Sequence, residues 1–521
     1  MIDKPAEYQA TVSRRRERRR WPRVFTPLWL VLTLINGCSR SSQVTIGSKV
    51  FTESVVLGEI ATQLARASGV NVNYRRQLGG TRILWDALVK GDIDAYPEYT
   101  GTLTNEIFAG QGFHDEAAIR KALSERRIEM TRSIGFNDTY ALGMRDDVAN
   151  RLNIRTISDL RDHPELRLGF SSEFLDRGDG YPSLREAYQL SPSHVTGLDH
   201  DLAYRALEAG SIDVTDLYST DAEIAEKHLR VLEDDRHHFP DYQAVFLYRS
   251  DLRQRAPGMI EVLKRLEGTI KAPEMIAMNA DAKIHKIPEE KIASAFLSKS
   301  LEVSIQSTGN GFWSRLAQRT VEHLELVSVS LLAAILVAIP LGVIAASYPR
   351  FGQVILGTVA TLYTIPSLAL LVFMIPILGI GWMPAVVALF LYSLLPITRN
   401  TFTGLRGIAA PIKESGAALG LPWSAQLFLI ELPLASPSIL AGIQTSAVLN
   451  VGTATLGALI GAGGYGQPIL TGIRLDSVPM ILEGAIPSAL LALAVQGTFD
   501  LLGKLAIPRG LRLREGEQPS N

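Results

Sequence analysis

Apolar positions along this chain fall into two regimes. From Val44 to about residue 300 they come in short patches. Val44–Ile46 reads as a strand, Ser54–Ala67 as an amphipathic helix, Val70–Tyr74 as a strand, Thr81–Lys90 as a helix and Ile93–Ala95 as a third strand. Strand, helix and strand in succession favour parallel α/β layers. A second set starts near Leu166, with a strand at Leu168–Phe170, a helix at Ala203–Ala209 and a strand at Val214–Asp216. Residues 230–250 are expected to return to the first set. Two lobes with crossing connections make a cleft that can close on a ligand by hinge motion.

Beyond residue 325 the apolar runs lengthen to membrane scale. A span needs ~20 mostly apolar residues. Residues 326–349 carry no charge and read as a first helix; the equally uncharged 351–398 has room for two, with the break at Gly379-Ile380-Gly381-Trp382 and Pro384. Residues 432–473 supply a fourth, whose end at Gly461–Gly464 and Pro468 leaves or re-enters the membrane, and Pro479–Leu502 a fifth. Pro340, Pro366, Pro396 and Pro487 sit inside these spans, where membrane helices tolerate proline better than soluble ones do. Glu483 and Asp500 fall near span ends, and interfacial solvation is the expectation for both.

Charge sharpens the division. Residues 325–521 hold 17 of the 105 Asp, Glu, Lys and Arg side chains, so nearly all the charge lies in the first part. With a first helix entering from outside, Arg350, Arg399, Arg406, Lys413, Lys504, Arg509, Arg512 and Arg514 fall inside, and only Arg474 is left outside. That gives five helices, N-terminus out and C-terminus in. Seven arginines from Arg14 to Arg23 precede the short apolar run Val24–Ile35, the pattern of an export signal. The run ends at Gly37-Cys38, similar to a bacterial lipoprotein box, so Cys38 is either lipidated or an unmodified residue of an uncleaved anchor. The net charge of −1 argues against nucleic-acid binding by bulk electrostatics. A single cysteine excludes an intrachain disulfide and cysteine-based zinc clusters.

Several longer stretches resemble a known family. Ile46–Glu53, Leu78-Gly79-Gly80-Thr81, Gly91–Thr102, Asn137–Leu142, Phe174–Arg177 with Asp179–Pro182, and Asp216–Asp221 are similar to binding proteins of osmoprotectant ABC importers. Thr364–Ala369 and Asn450–Leu456, running on through Ile460–Gly464, resemble the permease of the same systems. Glu414–Gly420 and Ile430–Pro433 resemble its cytoplasmic coupling loop, with Ser415 and Gly416 in place of the usual small residues after the glutamate. The family takes up glycine betaine, choline and carnitine; a branch that takes up ergothioneine is similar.

The resemblance implies a two-lobed α/β periplasmic-binding-protein domain of type II, followed by an all-α five-helix ABC importer transmembrane domain. The expected division is an export signal at 1–38, a substrate-binding domain at 42–300, a linker at 301–324, a permease domain at 325–505 and a cytoplasmic tail at 506–521. It implies a multi-pass protein of the bacterial inner membrane, with the binding domain outside. No G-x-x-x-x-G-K-[ST] loop occurs, so ATP and Mg²⁺ are expected on a separate cytoplasmic ATPase chain, with a permease homodimer in the membrane lipid.

A betaine head is a bulky cation without hydrogen-bond donors, and aromatic faces hold such a group by cation–π attraction. Tyr99, Tyr140 and Tyr218 lie in the matching motifs and are the cage candidates; Tyr96 is expected to be structural. Ser48, Thr52, Arg82, Thr102 and Asn137 lie in turns or helix starts, where donors for a carboxylate can converge. Glu414, Gly420 and Pro433 are the candidates for ATPase coupling. No metal site is expected, since His237-His238 is the only close histidine pair and its two rings would point apart. An importer of ergothioneine or another zwitterion is the alternative on the same architecture. A solute-sensing receptor is the rival from another class, and no nucleophile–base pair in a motif suggests an enzyme.

Overall fold

The structure is a computed structural model and describes residues 43–113, 115–303, 311–475 and 477–506. The expected export signal, Cys38 and the tail therefore lie outside the described residues.

Short buried runs build the strands of the first lobe: β1 (Val44–Gly47), β2 (Val72–Arg75), β3 (Ala95–Tyr99) and β4 (Ile128–Met130). With the later β10 (Ala244–Arg249) they form one sheet in the order β2-β1-β3-β10-β4. β1 runs parallel to β2 and β3, and β10 antiparallel to β3 and β4. α1 (Thr52–Ala67) is buried almost all round, from Thr52 to Ala65. A helix enclosed on all sides is apolar or internally paired on every face. α2 (Thr81–Lys90) joins β2 to β3.

The second lobe holds β5 (Tyr140–Arg145), β6 (Arg167–Ser171), β7 (His194–Leu198), β8 (Val214–Tyr218) and β9 (Leu229–Leu232), in the order β7-β6-β8-β5-β9. α3 (His200–Glu208) precedes β8. Two chain crossings join the lobes, and they pair with each other. Asn137 bridges Gln243, the Asp138 amide donates to the Tyr242 carbonyl at 3.1 Å, and the Tyr242 amide donates to Asn137 Oδ1 at 2.6 Å. The expected return of residues 230–250 to the first set holds for β10 only. β9 pairs with β5 and stays in the second sheet. After β10 the chain adds α4 (Ala272–Lys283) and α5 (Glu289–Ser300) to the first lobe, and α5 packs on α1.

The membrane half begins earlier than the uncharged run suggests. α6 spans Phe312–Ser347, so much of the expected linker is helical. Its polar first turns are held by pairing: Arg319 lies 2.7 Å from Glu483, and Glu322 accepts from the Gly464 amide at 2.9 Å. Glu483 is thus ion-paired rather than simply solvated, whereas Asp500 is exposed and accepts from Gln444 at 2.8 Å. α7 (Pro349–Thr364) and α8 (Ser367–Leu378) are bent by 97° at Ile365-Pro366. Pro366 therefore stands at the break, just before α8, instead of within a helix; Pro340, Pro396 and Pro487 do lie inside helices. The Gly379–Trp382 break is present, before α9 (Trp382–Arg406).

Among the described residues four helical runs, at Phe312–Ser347, Trp382–Arg406, Trp423–Ile460 and Val478–Leu505, are long and apolar enough to cross a membrane; the bent pair makes five. α10 (Ala410–Ala418) lies between α9 and α11 (Leu432–Thr453). After the glycine turn at 461–464 comes the short α12 (Gly466–Arg474), then α13 (Val478–Ala506). Asn450 Nδ2 donates to Ser330 Oγ at 3.1 Å and Ser393 Oγ at 2.9 Å, tying α11 to α6 and α9 through buried side chains. In an apolar surround such polar contacts fix which helices meet.

The first lobe packs on the membrane half. Leu78, fully buried, sits over Gly461, where a Cβ would stand 2.3 Å from Leu78 Cδ2. Gly461 also has φ +75°, so both the backbone and the space there call for glycine. Lys90 Nζ also donates to the Pro376 carbonyl at 3.3 Å.

Candidate functional site

The site grows from three chain segments that local sequence keeps apart. The Lys49–Glu53 turn enters α1, the Tyr218–Asp221 turn leaves β8, and α4 supplies Asn279 and Lys283. With Asp138 from the hinge and His200 from the start of α3, they line one cavity between the lobes. Its walls are the aromatic faces of Phe51 and Tyr218, the carboxyl groups of Glu53, Asp138 and Asp221, and the polar side chains of Thr52, Thr220 and Asn279.

The aromatic residues form one continuous cluster. Phe51 stacks on Tyr218 with centroids 5.6 Å apart and lies 6.2 Å from Tyr99; Tyr140 lies 5.2 Å from Tyr218. The three expected tyrosines are thus brought together, and Phe51 joins them. Phe51 lies in the family-like Ile46–Glu53 stretch, and its sequence spacing from the other rings carries no local signal. Tyr140 also carries the Arg177 guanidinium over its ring at 5.6 Å, and Arg177 is paired with Asp179.

Charge in the cavity is unevenly satisfied. Lys283 is committed to Asp201 at 2.7 Å and Glu223 at 2.8 Å, both across the cleft. His200 is committed to Asp221 at 3.0 Å. Burial alone would lower the His200 imidazole, but Asp221 and Asp216 outweigh it and hold the ring well above its ordinary value. Burial likewise works against the Asp221 carboxylate, yet His200 and Lys283 hold it below the usual range.

Glu53 and Asp138 are held instead by neutral donors. Tyr99 donates to Glu53 Oε1 at 2.6 Å and Asn279 to Glu53 Oε2 at 3.1 Å. The Thr220 hydroxyl lies within 2.8 Å of both Glu53 Oε2 and Asp138 Oδ1, and it has one hydrogen to give. Burial pushes both carboxyl groups up, with mutual repulsion adding to Asp138. A cation entering this space would meet two carboxyl groups that, among the described residues, form no ion pair, and the faces of Phe51 and Tyr218.

The other sequence candidates fall in three places. Thr52 lines the cavity and accepts from Arg474 Nη1 at 2.7 Å. Ser48 and Thr102 are buried but do not line it: Ser48 Oγ accepts from the Gln77 amide at 3.2 Å, and Thr102 Oγ1 accepts from Arg177 at 3.4 Å. Asn137 belongs to the hinge crossing, where its amide holds Tyr242 and Asp241. Arg82 lies away from the cavity. It is 58% exposed and paired with Glu106 at 2.6 Å on the outside of α2. Tyr96 is fully buried and donates to Glu98. Glu53, Asp138, Thr220 and Asp221 lie in the family-like stretches without a site role assigned to them, and His200, Asn279 and Lys283 lie outside those stretches; only the fold brings the seven together.

At the opposite end, Glu414 stands exposed on α10. Gly420 closes the following turn with φ +72°, and Pro433 opens α11. Leu419 and Trp423 are 79% and 63% exposed there, which leaves an apolar rim around the glutamate.

Comparison with known proteins covers both halves. Residues 42–299 match the family model described as the substrate binding domain of the ABC-type glycine betaine transport system. Residues 338–509 match the binding-protein-dependent transport system inner membrane component. The chain is 42% identical over 201 residues to the choline transport system permease protein OpuBB of Bacillus subtilis, covering 38% of this chain and 93% of that protein. It is 29% identical over 279 residues to the ergothioneine transport permease/ergothioneine binding protein EgtU of Helicobacter pylori, covering 52% of this chain and 50% of that protein. A crystal structure of a glycine betaine/carnitine/choline ABC transporter is 28% identical with a TM-score of 0.43, covering 49% of this chain and 98% of that one.

Proposed function

Because this chain belongs to the betaine-type ABC importers, with a substrate-binding domain fused ahead of its permease, we propose that its cleft captures a quaternary ammonium solute through Phe51, Tyr99, Tyr140 and Tyr218. The observation that carries this reading is the pairing of that aromatic cluster with Glu53 and Asp138, two buried carboxyl groups served by neutral donors. Ionised, they would stabilise a cation that offers no hydrogen bond of its own.

The chain is a transport subunit of the inner membrane, with its binding domain on the outer side. In this reading two copies pair in the membrane lipid. The α10 surface around Glu414, Gly420 and Pro433 then receives a separate ATPase chain, which binds ATP and Mg²⁺. Closure brings Thr220 of the second lobe to Glu53 of the first, and Lys283 to Asp201 and Glu223. Those contacts hold the solute until the lobes part over the permease.

Uptake of labelled choline and glycine betaine tests this. The chain would be co-expressed with an ATPase subunit of the same importer class, in bacteria lacking their own betaine uptake. Saturable uptake whose half-saturating concentration rises in a Tyr218→Leu variant supports the reading; uptake with an unchanged half-saturating concentration in that variant contradicts it.

A further inference from the structure

Within residues 325–521, Arg474 is the basic residue that the orientation of the spans leaves on the outer side, where Arg315 and Arg319 of α6 also lie. It ends α12 and is nearly buried, with only 8% of its side chain exposed. Its guanidinium leaves the permease entirely. Nη1 donates to Thr52 Oγ1 at 2.7 Å, and Nη2 pairs with Glu289 at the start of α5. Gln77 Nε2 donates to Thr471 Oγ1 on the same helix at 3.2 Å, and with its amide swapped its oxygen would accept from Arg474 Nη2 and Nε at 3.0 Å. Thr52 lines the ligand cavity, and its neighbour Glu53 holds Thr220 of the opposite lobe.

We propose that Arg474 is a release-coupling residue: when the first lobe docks, the permease inserts a fixed positive charge beside the ligand cavity and so weakens its hold on a cationic solute. The argument is electrostatic. In the docked chain Glu289 is 2% exposed and faces Arg474, so its negative charge is cancelled within a few ångströms of Thr52. A buried charge in a low-dielectric surround acts more strongly than an exposed one. With Arg474 withdrawn, Glu289 and the Glu53–Asp138 pair would together favour a cation in the cavity. With it inserted, that attraction is reduced on the permease side, where the solute must leave. The bonds through Thr52, Arg75, Gln77, Lys90 and Glu289 all end on the first lobe. The second lobe can therefore swing open while the charge stays in place.

This inference rests on the cation reading of the cleft. It is tested by titrating the purified full chain, in lipid nanodiscs, with choline and with its uncharged isostere 3,3-dimethyl-1-butanol. Arg474→Gln should tighten choline binding about tenfold or more and leave the neutral isostere unchanged; Arg474→Lys should keep the wild-type affinity. Adding Glu289→Gln to Arg474→Gln should return choline affinity toward wild type. Equal choline affinity in wild type and Arg474→Gln, or an equal change for choline and the isostere, would overturn the proposal, the second by showing a purely structural effect. Absence of choline binding in wild type and every variant would instead refute the cation reading, and this proposal with it.

Discussion

Replacing Tyr218 probes the aromatic wall most cleanly. Its ring forms one of the two aromatic walls of the cavity, stacked on Phe51 at 5.6 Å and 27°, with Tyr140 at 5.2 Å and His200 at 4.6 Å. A cation against that face gains ~0.5–2 kcal/mol, so losing it should weaken binding about 2- to 30-fold. Truncation to alanine would also strip packing from Phe51 and Tyr140, at ~0.5–1.5 kcal/mol for each aromatic pair, and could blur the cause. Tyr218→Leu keeps most of the apolar volume and removes the π face; Tyr218→Phe keeps the face and removes the hydroxyl. Calorimetric titration of the full chain with choline should give Phe near wild type and Leu weakened within that range, with thermal unfolding run alongside to confirm intact folds. Leu binding as tightly as wild type would refute the cation–π argument. Phe falling as far as Leu would move the effect from the ring to its hydroxyl.

Three further outcomes follow from the same geometry. Glu53 and Asp138 have raised folded-state pKa values, so in the empty cleft they keep protons above their ordinary values of 4.5 and 3.8. A cation favours their ionised forms, so affinity for choline should rise as pH climbs through the raised values, with proton release. Titrations in two buffers of different ionisation enthalpy would detect it, and a pH-independent, proton-neutral binding reaction would contradict it. Lys283→Met leaves Asp201 and Glu223 facing each other across the closed cleft without their buried partner, which should disfavour the closed state by ~3–5 kcal/mol and weaken choline binding in the same titration. Glu414→Lys on the exposed α10 should abolish solute-stimulated ATP hydrolysis with a partner ATPase, while choline affinity stays at the wild-type value.

The extent to which the sequence disclosed this molecule depended on the range of each signal. The lobes and spans were legible because strand length, helical period and uncharged run length are local. Tyr99, Tyr140 and Tyr218 were legible as members of motifs. Phe51 was not, because one phenylalanine before a helix has no local mark of facing Tyr218. Asn279 and Lys283 lie on a helix that packs across the cleft mouth only after the chain has crossed between lobes twice. Arg82 looked like an anion contact from its place near a helix start, but Glu106 holds it on the outer side. The bend at Ile365-Pro366 was hidden for a different reason. Composition reports apolar length, not direction, and the uncharged run continues straight through a 97° turn. The early start of α6 was masked by Arg315, Arg319, Glu322 and Glu325, charges that the fold pairs or leaves outside the apolar run.

The central claim is that the cleft recognises a quaternary ammonium group. Equilibrium binding of labelled choline and glycine betaine to the purified full chain, with carnitine, proline betaine, ergothioneine and histidine as competitors, tests it most directly. The account predicts saturable binding of at least one quaternary ammonium compound in the micromolar range, with histidine inert as a competitor. No binding of either label, together with no stabilisation of the chain by any of the other betaines, would contradict it.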